Sequence, residues 1–596
     1  MSVVDNRLKQ LRAVMHEEGI DAYLIPSQDP HQSEYVAEYW KGRPWISGFT
    51  GSAGTAVITS DYAGVWTDSR YFLQGEKELA DSEFVLERQL IPHTPQHLEW
   101  LRDNLPAGGV IGIDGHVFSV AQVNHIRRVL NDDSVQIRYQ HDLLQSVWKD
   151  RPALPQTSVF ELDVKYAGVS RAEKLSNISA HLGDADFYMV TGLDDIAWAL
   201  NIRAMDVECN PVSISYLMIG KEQHYWFVDE AKVPAALKAD MEKEGIQIHP
   251  YEAVKPFLRQ ISVGSQVLYD ASTLSILLYE AMDAEQWVKG PNMIRPMKAI
   301  KNETEISHIK EVMRKDGVAL LRFFRWLEKE LAGGNETLTE YSVGRQLDEF
   351  RKAQSNYYGE SFSAIVGYKG NGAIVHYRAE EGKSATLKAE GILLVDSGGQ
   401  YLEGTTDITR TIALSTPSKE QQLHYTLVLK GHIALSTAIF PKGTTGVQLD
   451  TLARMHLWKH GLNYGHGTGH GVGFFLNVHE PPQGFAPSPK AGRGLTPFEP
   501  GMLTSNEPGY YKTDAHGIRI ENLEICVKMK GDNGDAYYGF EPVTLFPIST
   551  DLIDKSILTV AERSWLNDYH KKVYEALAPL LETEEQEWLA HQCKEL

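Results

Sequence analysis

The last third of the chain sets carboxylates where carboxylates are costly. GILLVDSGG is a short apolar run, bounded by glycines, that ends on Asp396. Such a run predicts a buried strand, with Asp396 at or near the core. A turn at Ser397–Gly399 leads to YLEGTTDITRTIAL, predicted as a second strand carrying Asp407, and a hairpin would bring the two aspartates together. MLTSNEPGYY places Glu507 at the end of another strand, and GIRIENLEICV places Arg519 and Glu521 on one strand face by the period of two. One acidic residue in a strand is ordinarily a satisfied edge or turn residue. Four on apolar strands are different, because clustered carboxylates repel and some stay protonated unless cations neutralise them. Two divalent cations balance four carboxylates. If the four meet, charge favours a dinuclear metal site.

Histidines strengthen that expectation. YGHGTGHGVGFFLNVHE carries His466, His470 and His479 on a stretch with five glycines. Two histidines four apart would suit a zinc-binding helix, but the glycines argue against a helix here. His479-Glu480 does not begin an HExxH motif, since Pro481, Pro482 and Gln483 follow. Nucleotide motifs fail as well. Val472 stands where a dinucleotide loop after Gly467 and Gly469 needs its third glycine, and Tyr377 stands where a Walker loop ending in Gly382-Lys383-Ser384 needs its first. A lone histidine is usually structural; three on one glycine-rich loop point to ligands or substrate contacts.

The elements that must position these groups follow from the rest of the chain. At 596 residues it exceeds one hydrophobic core, which predicts about two to four domains. Leu8, Leu11 and Met15 share one side of an N-terminal amphipathic helix, followed by a strand in DAYLIP and paired strands in GTAVIT and AGVWTDSRYF. A similar order returns after residue 170, and IDAYLIPSQD aligns with ADFYMVTGLD, which suggests two related α/β domains in tandem. Pro152 and Pro155 mark a first linker and GPNMIRPMKAIKNETE a second. The expected domains are 1–154, 155–300 and 301–596. The third opens with helices such as EISHIKEVMRKDGVALLRFFRWLEKEL, turns to strands from about Ala364, and closes with a charged helical tail.

Composition narrows the partners. A formal charge of −21 disfavours nucleic acid or an anionic membrane surface. Cys209, Cys526 and Cys593 are far apart and form no metal-like pair, as suits a reducing compartment. With no apolar leader and no run approaching a membrane span, the expected location is cytoplasmic.

Taken together, the motifs resemble the pita-bread metallopeptidases, a group that includes methionine aminopeptidase, prolidase and aminopeptidase P. The family's ligand pattern is matched in order by Asp396, Asp407, His470, Glu507 and Glu521. NGAIVHY, LLVDSGGQY, GTTDITRT, VLKGHIAL, GHGTGHGVG, SNEPGYY and GIRIENL resemble blocks of the three-domain branch of aminopeptidase P. So do WISGFTGSAGTAVIT and WTDSRYFLQ in the first domain and DDIAWALNIR in the second. Two departures stand beside candidate pocket residues: Pro481-Pro482 follows His479-Glu480 where glycine then proline is expected, and Gly370 replaces a frequent proline before Asn371-Gly372.

The resemblance implies two creatinase-like α/β domains followed by an α+β pita-bread catalytic domain. It implies release of the N-terminal residue from peptides with proline second, by a hydroxide shared between two divalent cations. Four carboxylates to one imidazole suit Mn²⁺, with Zn²⁺ or Co²⁺ as alternatives. Glu507 would then be general base and acid, and His479 or His376 would stabilise the oxyanion. His376, His466 and His479 would surround the proline side, Arg519 would orient a ligand carboxylate, and Arg70 would reach the site or hold a salt bridge in its own domain. A homodimer is implied too. Prolidase, confined to Xaa-Pro dipeptides, and a non-catalytic pita-bread interaction protein are the alternatives.

Overall fold

The computed structural model describes residues 2–90, 94–140, 142–489, 492–531 and 536–596. It divides into two compact units, Met1–Val164 with Val169–Ile294, and Lys165–Gly168 with Arg295–Leu596.

The first unit holds two six-stranded sheets. One contains β1 (Ala22–Ile25), β2 (Thr55–Thr59), β3 (Ala63–Asp68), β4 (Val85–Gln89), β5 (Val110–Ile113) and β6 (Gln136–Arg138), in the order β4-β3-β2-β1-β5-β6. The other contains β7 (Phe187–Val190), β8 (Ser215–Gly220), β9 (His224–Val228), β10 (Ile246–His249), β11 (Val267–Tyr269) and β12 (Trp287–Lys289), in the order β10-β9-β8-β7-β11-β12. In each, the strand second in sequence runs antiparallel to both neighbours and every other pairing is parallel. The two aligned fragments supply β1 and β7, the equivalent strands of the two sheets. The suggested repeat is therefore a repeat of topology. Helix α1 (Val3–Glu17) buries Leu8, Leu11 and Met15, and Ser2 caps it reciprocally with Asp5. One apolar cluster, including Leu24, Ile111, Met189 and Phe227, runs through both sheets.

The second unit begins with α2 (Glu303–Ala332), whose first turn is closed by a capping box of Asn302 and Glu305, and continues with α3 (Glu340–Lys352). Strands β13 (Tyr357–Tyr368), β14 (Ile392–Tyr401) and β15 (Ile408–Ala413) form one antiparallel sheet. Helices α4 (Lys419–Ser436) and α5 (Gly446–Trp458) follow. A second antiparallel sheet contains β16 (Gly469–Gly471), β17 (Glu480–Phe485), β18 (Leu503–Asn506), β21 (Asn522–Met529) and β22 (Tyr537–Pro542), while β19 (Gly509–Lys512) and β20 (His516–Arg519) form a hairpin. The charged tail is helical, in α6 (Val560–Leu577) and α7 (Thr583–Gln592). No helix among the described residues is long and apolar enough to cross a membrane.

Three local expectations are corrected. Ser397–Gly399 is not a turn: β14 runs on to Tyr401. Its glycines are needed for close approach, since a Cβ on Gly398 would lie 2.0 Å from Thr406 O and 2.2 Å from Ser361 Oγ. Asp407 is not on a strand but immediately before β15. Arg519 and Glu521 do not share a strand face either. Arg519 ends β20, Glu521 precedes β21, and the chain passes between sheets at Ile520.

Candidate metal centre

Strand pairing brings the acidic residues to one place. Strands β14 and β15 pair with Asp396 opposite Thr409, so Asp407 enters beside Asp396. Strands β18 and β21 pair with Asn506 opposite Asn522, so Glu507 and Glu521 leave that ladder at the same end. His470 sits on β16 between two glycines that permit tight packing: a Cβ on Gly469 would lie 1.9 Å from Ser505 O, and one on Gly471 2.3 Å from Glu480 O.

The side chains then converge. Ligand atoms of Asp407, His470 and Glu521 lie within 4.8 Å of one another. His470 Nε2 is 3.5 Å from Asp407 Oδ2 and 3.4 Å from Glu507 Oε1. Its Nδ1 lies 2.9 Å from Gly471 O. A carbonyl can only accept, so in the neutral ring Nδ1 carries the proton and Nε2 turns its lone pair toward the carboxylates. Asp396 is tied to the group through Arg519, whose Nη2 donates to Asp396 Oδ2 at 2.5 Å while its Nε donates to Thr409 Oγ1 at 3.1 Å. Thr409 in turn donates to Glu521 Oε2 at 2.9 Å.

Electrostatics record the crowding. Burial, then Glu521, Asp396 and Glu507, hold the Asp407 carboxyl well above its ordinary range. Burial, then Glu507 and Asp396, do the same to Glu521. Glu507 is pushed up to about 8, chiefly by burial, with Arg519 opposing the rise. Asp396 Oδ1 and Glu521 Oε1 are buried and have no hydrogen-bond partner among the described residues. Orphaned carboxylate oxygens are expensive in a protein interior, and a cation satisfies them. Oxygen-rich donors, one imidazole with its lone pair inward and two orphaned oxygens fit divalent metal ions.

Of the proposed substrate contacts, the His479 ring packs edge-on to His470 at 4.2 Å between centroids. His466 Nε2 lies 2.8 Å from Tyr511 Oη, which accepts from Arg519 Nη1 at 2.7 Å. His376 is half-buried and follows a segment that packs on β20, where a Cβ on Gly517 would lie 1.6 Å from Gly372 O. Arg70, in the first unit, makes a two-pronged ion pair with Asp68 at 2.8 and 2.7 Å. The departure at Gly370 also packs tightly, since a Cβ there would meet the Asp514 backbone at 3.1 Å.

Several supporting groups escaped the sequence reading. Thr409 and Tyr511 link Arg519 to Glu521 and to His466. Ser505 accepts from His470 N at 3.0 Å and lies 3.4 Å from Glu507 Oε1. Glu480, the residue after His479, is held in the core by Lys301, with Lys298 Nζ 4.0 Å away. Thr409 stands two residues beyond Asp407, a spacing that could have marked it. The others required the fold.

Known proteins share this architecture. The chain matches the model for metallopeptidase family M24 over residues 307–528 and its C-terminal region over 536–596. Models of the creatinase/prolidase N-terminal domain match residues 7–143 and 150–305. Aminopeptidase P2 of Arabidopsis thaliana is 42% identical over 628 aligned residues, covering 98% of this chain and 88% of that one. Xaa-Pro aminopeptidase 1 of Dictyostelium discoideum is 40% identical and covers 100% of this chain and 97% of its own. The crystal structure of X-prolyl aminopeptidase from Caenorhabditis elegans, described as a cytosolic enzyme with a di-nuclear active site, matches 100% of both chains at 34% identity and a TM-score of 0.95. On likeness that extends from end to end, the chain belongs to the aminopeptidase P family of M24 metallopeptidases, with creatinase-type N-terminal domains and a pita-bread catalytic domain.

Proposed function

We propose that this chain is a metal-dependent aminopeptidase that releases the N-terminal residue from peptides with proline in the second position. The observation that carries the reading is the convergence of Asp407, His470 and Glu521 ligand atoms within 4.8 Å, in a chain similar along its whole length to Xaa-Pro aminopeptidases.

Asp396, Asp407, His470, Glu507 and Glu521 would hold two divalent cations, and their oxygen-rich donor set favours Mn²⁺ over softer metals. Bound there, the cations supply Lewis acidity toward the scissile carbonyl and bring water toward deprotonation near neutral pH. Glu507 accepts the proton and returns it to the departing proline nitrogen. His479 and His376 donate to the developing oxyanion. His466 and Tyr511 orient the proline side, and Arg519 keeps Asp396 aimed. The Asp396 carboxylate attracts the free α-ammonium, which restricts cleavage to the chain end. For Arg70, the pair with Asp68 supports a role inside its own domain. We place the domain boundaries at 154/155 and 300/301; the family matches, which change at 143–150 and 305–307, support a three-domain division within a few residues of these positions, and we infer a cytoplasmic homodimer by likeness to the family.

The test compares an Xaa-Pro-Pro peptide, its alanine-second analogue and the dipeptide Gly-Pro, each with Mn²⁺ or chelator, with products identified by mass. Cleavage of the first alone, lost on chelation, is the expected result. Metal analysis should approach two ions per chain. Turnover of Gly-Pro alone would indicate a prolidase, and full activity without metal would overturn the mechanism.

A further inference from the structure

Arg410 is fully buried, and no carboxylate pairs with it among the described residues. A buried guanidinium without a counter-ion is costly, so every N–H must find an acceptor. Arg410 finds them on four stretches of chain. Nε donates to Pro547 O at 2.8 Å. Nη1 donates to Thr409 O at 3.0 Å and to the backbone carbonyl of Glu521. Nη2 reaches Phe546 O at 2.7 Å, Asn522 Oδ1 at 2.9 Å and Tyr569 Oη at 3.0 Å. The planar fork of arginine can meet so many fixed acceptors at once; a lysine cannot.

These contacts end on a candidate metal ligand. Glu521 is gripped at three points, and its neighbour at a fourth, by two adjacent residues: its N–H donates to Thr409 O at 3.1 Å, its Oε2 accepts from Thr409 Oγ1, its carbonyl accepts from Arg410, and so does Asn522 Oδ1. Its Oε1 is left over, buried and without a hydrogen-bond partner among the described residues. Arg410 itself is held from the far side by the segment after β22. Tyr569, on α6, accepts from Arg410 Nη2 and lies 2.9 Å from Phe546 O, 3.1 Å from Thr544 O and 3.2 Å from Asn522 Oδ1.

We infer that Arg410 and Tyr569 are positioning residues for the metal centre, and that the C-terminal segment acts through them to set the aim of the Glu521 carboxylate. The inference rests on the metallopeptidase reading and deepens it. It gives α6 a task beyond closing the domain: its hydroxyl fixes the guanidinium, the guanidinium fixes Glu521 and Asn522, and Oε1 is thereby presented to a cation.

The experiment uses the full-length protein stripped with chelator. Mn²⁺ binding is measured by calorimetry for wild type, Tyr569→Phe, Arg410→Lys and a control, Tyr425→Phe. Tyr425 is likewise buried and donates to Ser549 O at 2.9 Å in the same C-terminal segment, but it does not bond Arg410. Loss of an outer partner of a metal ligand typically weakens metal affinity by roughly 10–100-fold. Tyr569→Phe and Arg410→Lys should weaken Mn²⁺ binding within that range, Tyr425→Phe should not, and the kcat lost at low Mn²⁺ should return at high Mn²⁺ with KM for peptide unchanged. Equal weakening in the control would make the effect a general loss of packing and overturn the inference, as would wild-type affinity in Tyr569→Phe. A wild type that binds none of Mn²⁺, Zn²⁺ and Co²⁺ would instead defeat the metallopeptidase reading, so the two failures are distinguishable.

Discussion

Arg519 and Asp396 form a buried ion pair, with Nη2 2.5 Å from Oδ2, and Oδ1 has no hydrogen-bond partner among the described residues. The arginine thus pins one oxygen and leaves the other buried without a hydrogen bond among the described residues. Removing one partner of such a pair strands a buried charge, at a cost of about 3–5 kcal/mol. Arg519→Met should destabilise the metal-free protein by roughly that amount in urea denaturation and abolish peptide turnover. Arg519→Lys keeps the charge but not the fork and should fall between. Wild-type stability in Arg519→Met would mean that the pair does not hold in solution.

The crowded carboxylates give the metal-free protein a definite pH dependence. Folding raises Glu507 from about 4.5 to about 8 and moves Asp407 and Glu521 in the same direction. The folded state therefore binds more protons than the unfolded one between those values, and stability falls as pH rises through that window. Melting temperature in chelator should decline from pH 5 to pH 8. Saturating Mn²⁺, by neutralising the same groups, should remove most of the slope. A flat curve in chelator would contradict the clustering.

Glu507 is assigned the proton transfers. Glu507→Ala should leave the far-ultraviolet circular dichroism unchanged and lower kcat on an Xaa-Pro-Pro peptide by roughly 10²–10⁴-fold. Turnover within a few-fold of wild type would remove Glu507 from the role of base.

Two glycines should respond with opposite sign. Gly398→Ala drives a methyl against Thr406 O and Ser361 Oγ beside the Asp396–Asp407 hairpin. Overpacking of this kind costs about 1–3 kcal/mol or more, and Mn²⁺ affinity should fall with stability. Gly344, inside α3, offers an added Cβ ordinary contacts, at 3.5 Å to Val366 and 3.7 Å to Ala364. Gly344→Ala should be neutral or stabilise by up to about 1 kcal/mol, because alanine loses less backbone entropy in a helix. Calorimetric melting of both variants tests the contrast.

The amino-acid sequence by itself determined which residue types could do the chemistry. Acids on apolar runs, and histidines among glycines where no helix forms, carry their own signal, because burying charge is too costly to occur without a purpose. Periodicity was enough for the capped helices and for the tandem α/β pattern, whose equivalent strands β1 and β7 come from the two aligned fragments. Local reasoning misread Ser397–Gly399, because glycine marks both turns and close approaches, and only the neighbouring chain distinguishes them. The path from Arg519 to Glu521 was misread for a related reason: the period of two presumes one strand, and here the chain changes sheets. Tertiary structure alone decided that Thr409, Tyr511, Arg410 and Tyr569 surround the acids. Hydroxyls and buried guanidinium groups acquire a role from whichever partners lie within about 3 Å, and the bonds from Thr409 and Arg410 to Glu521, and from Arg410 to Tyr569, join segments more than a hundred residues apart in sequence.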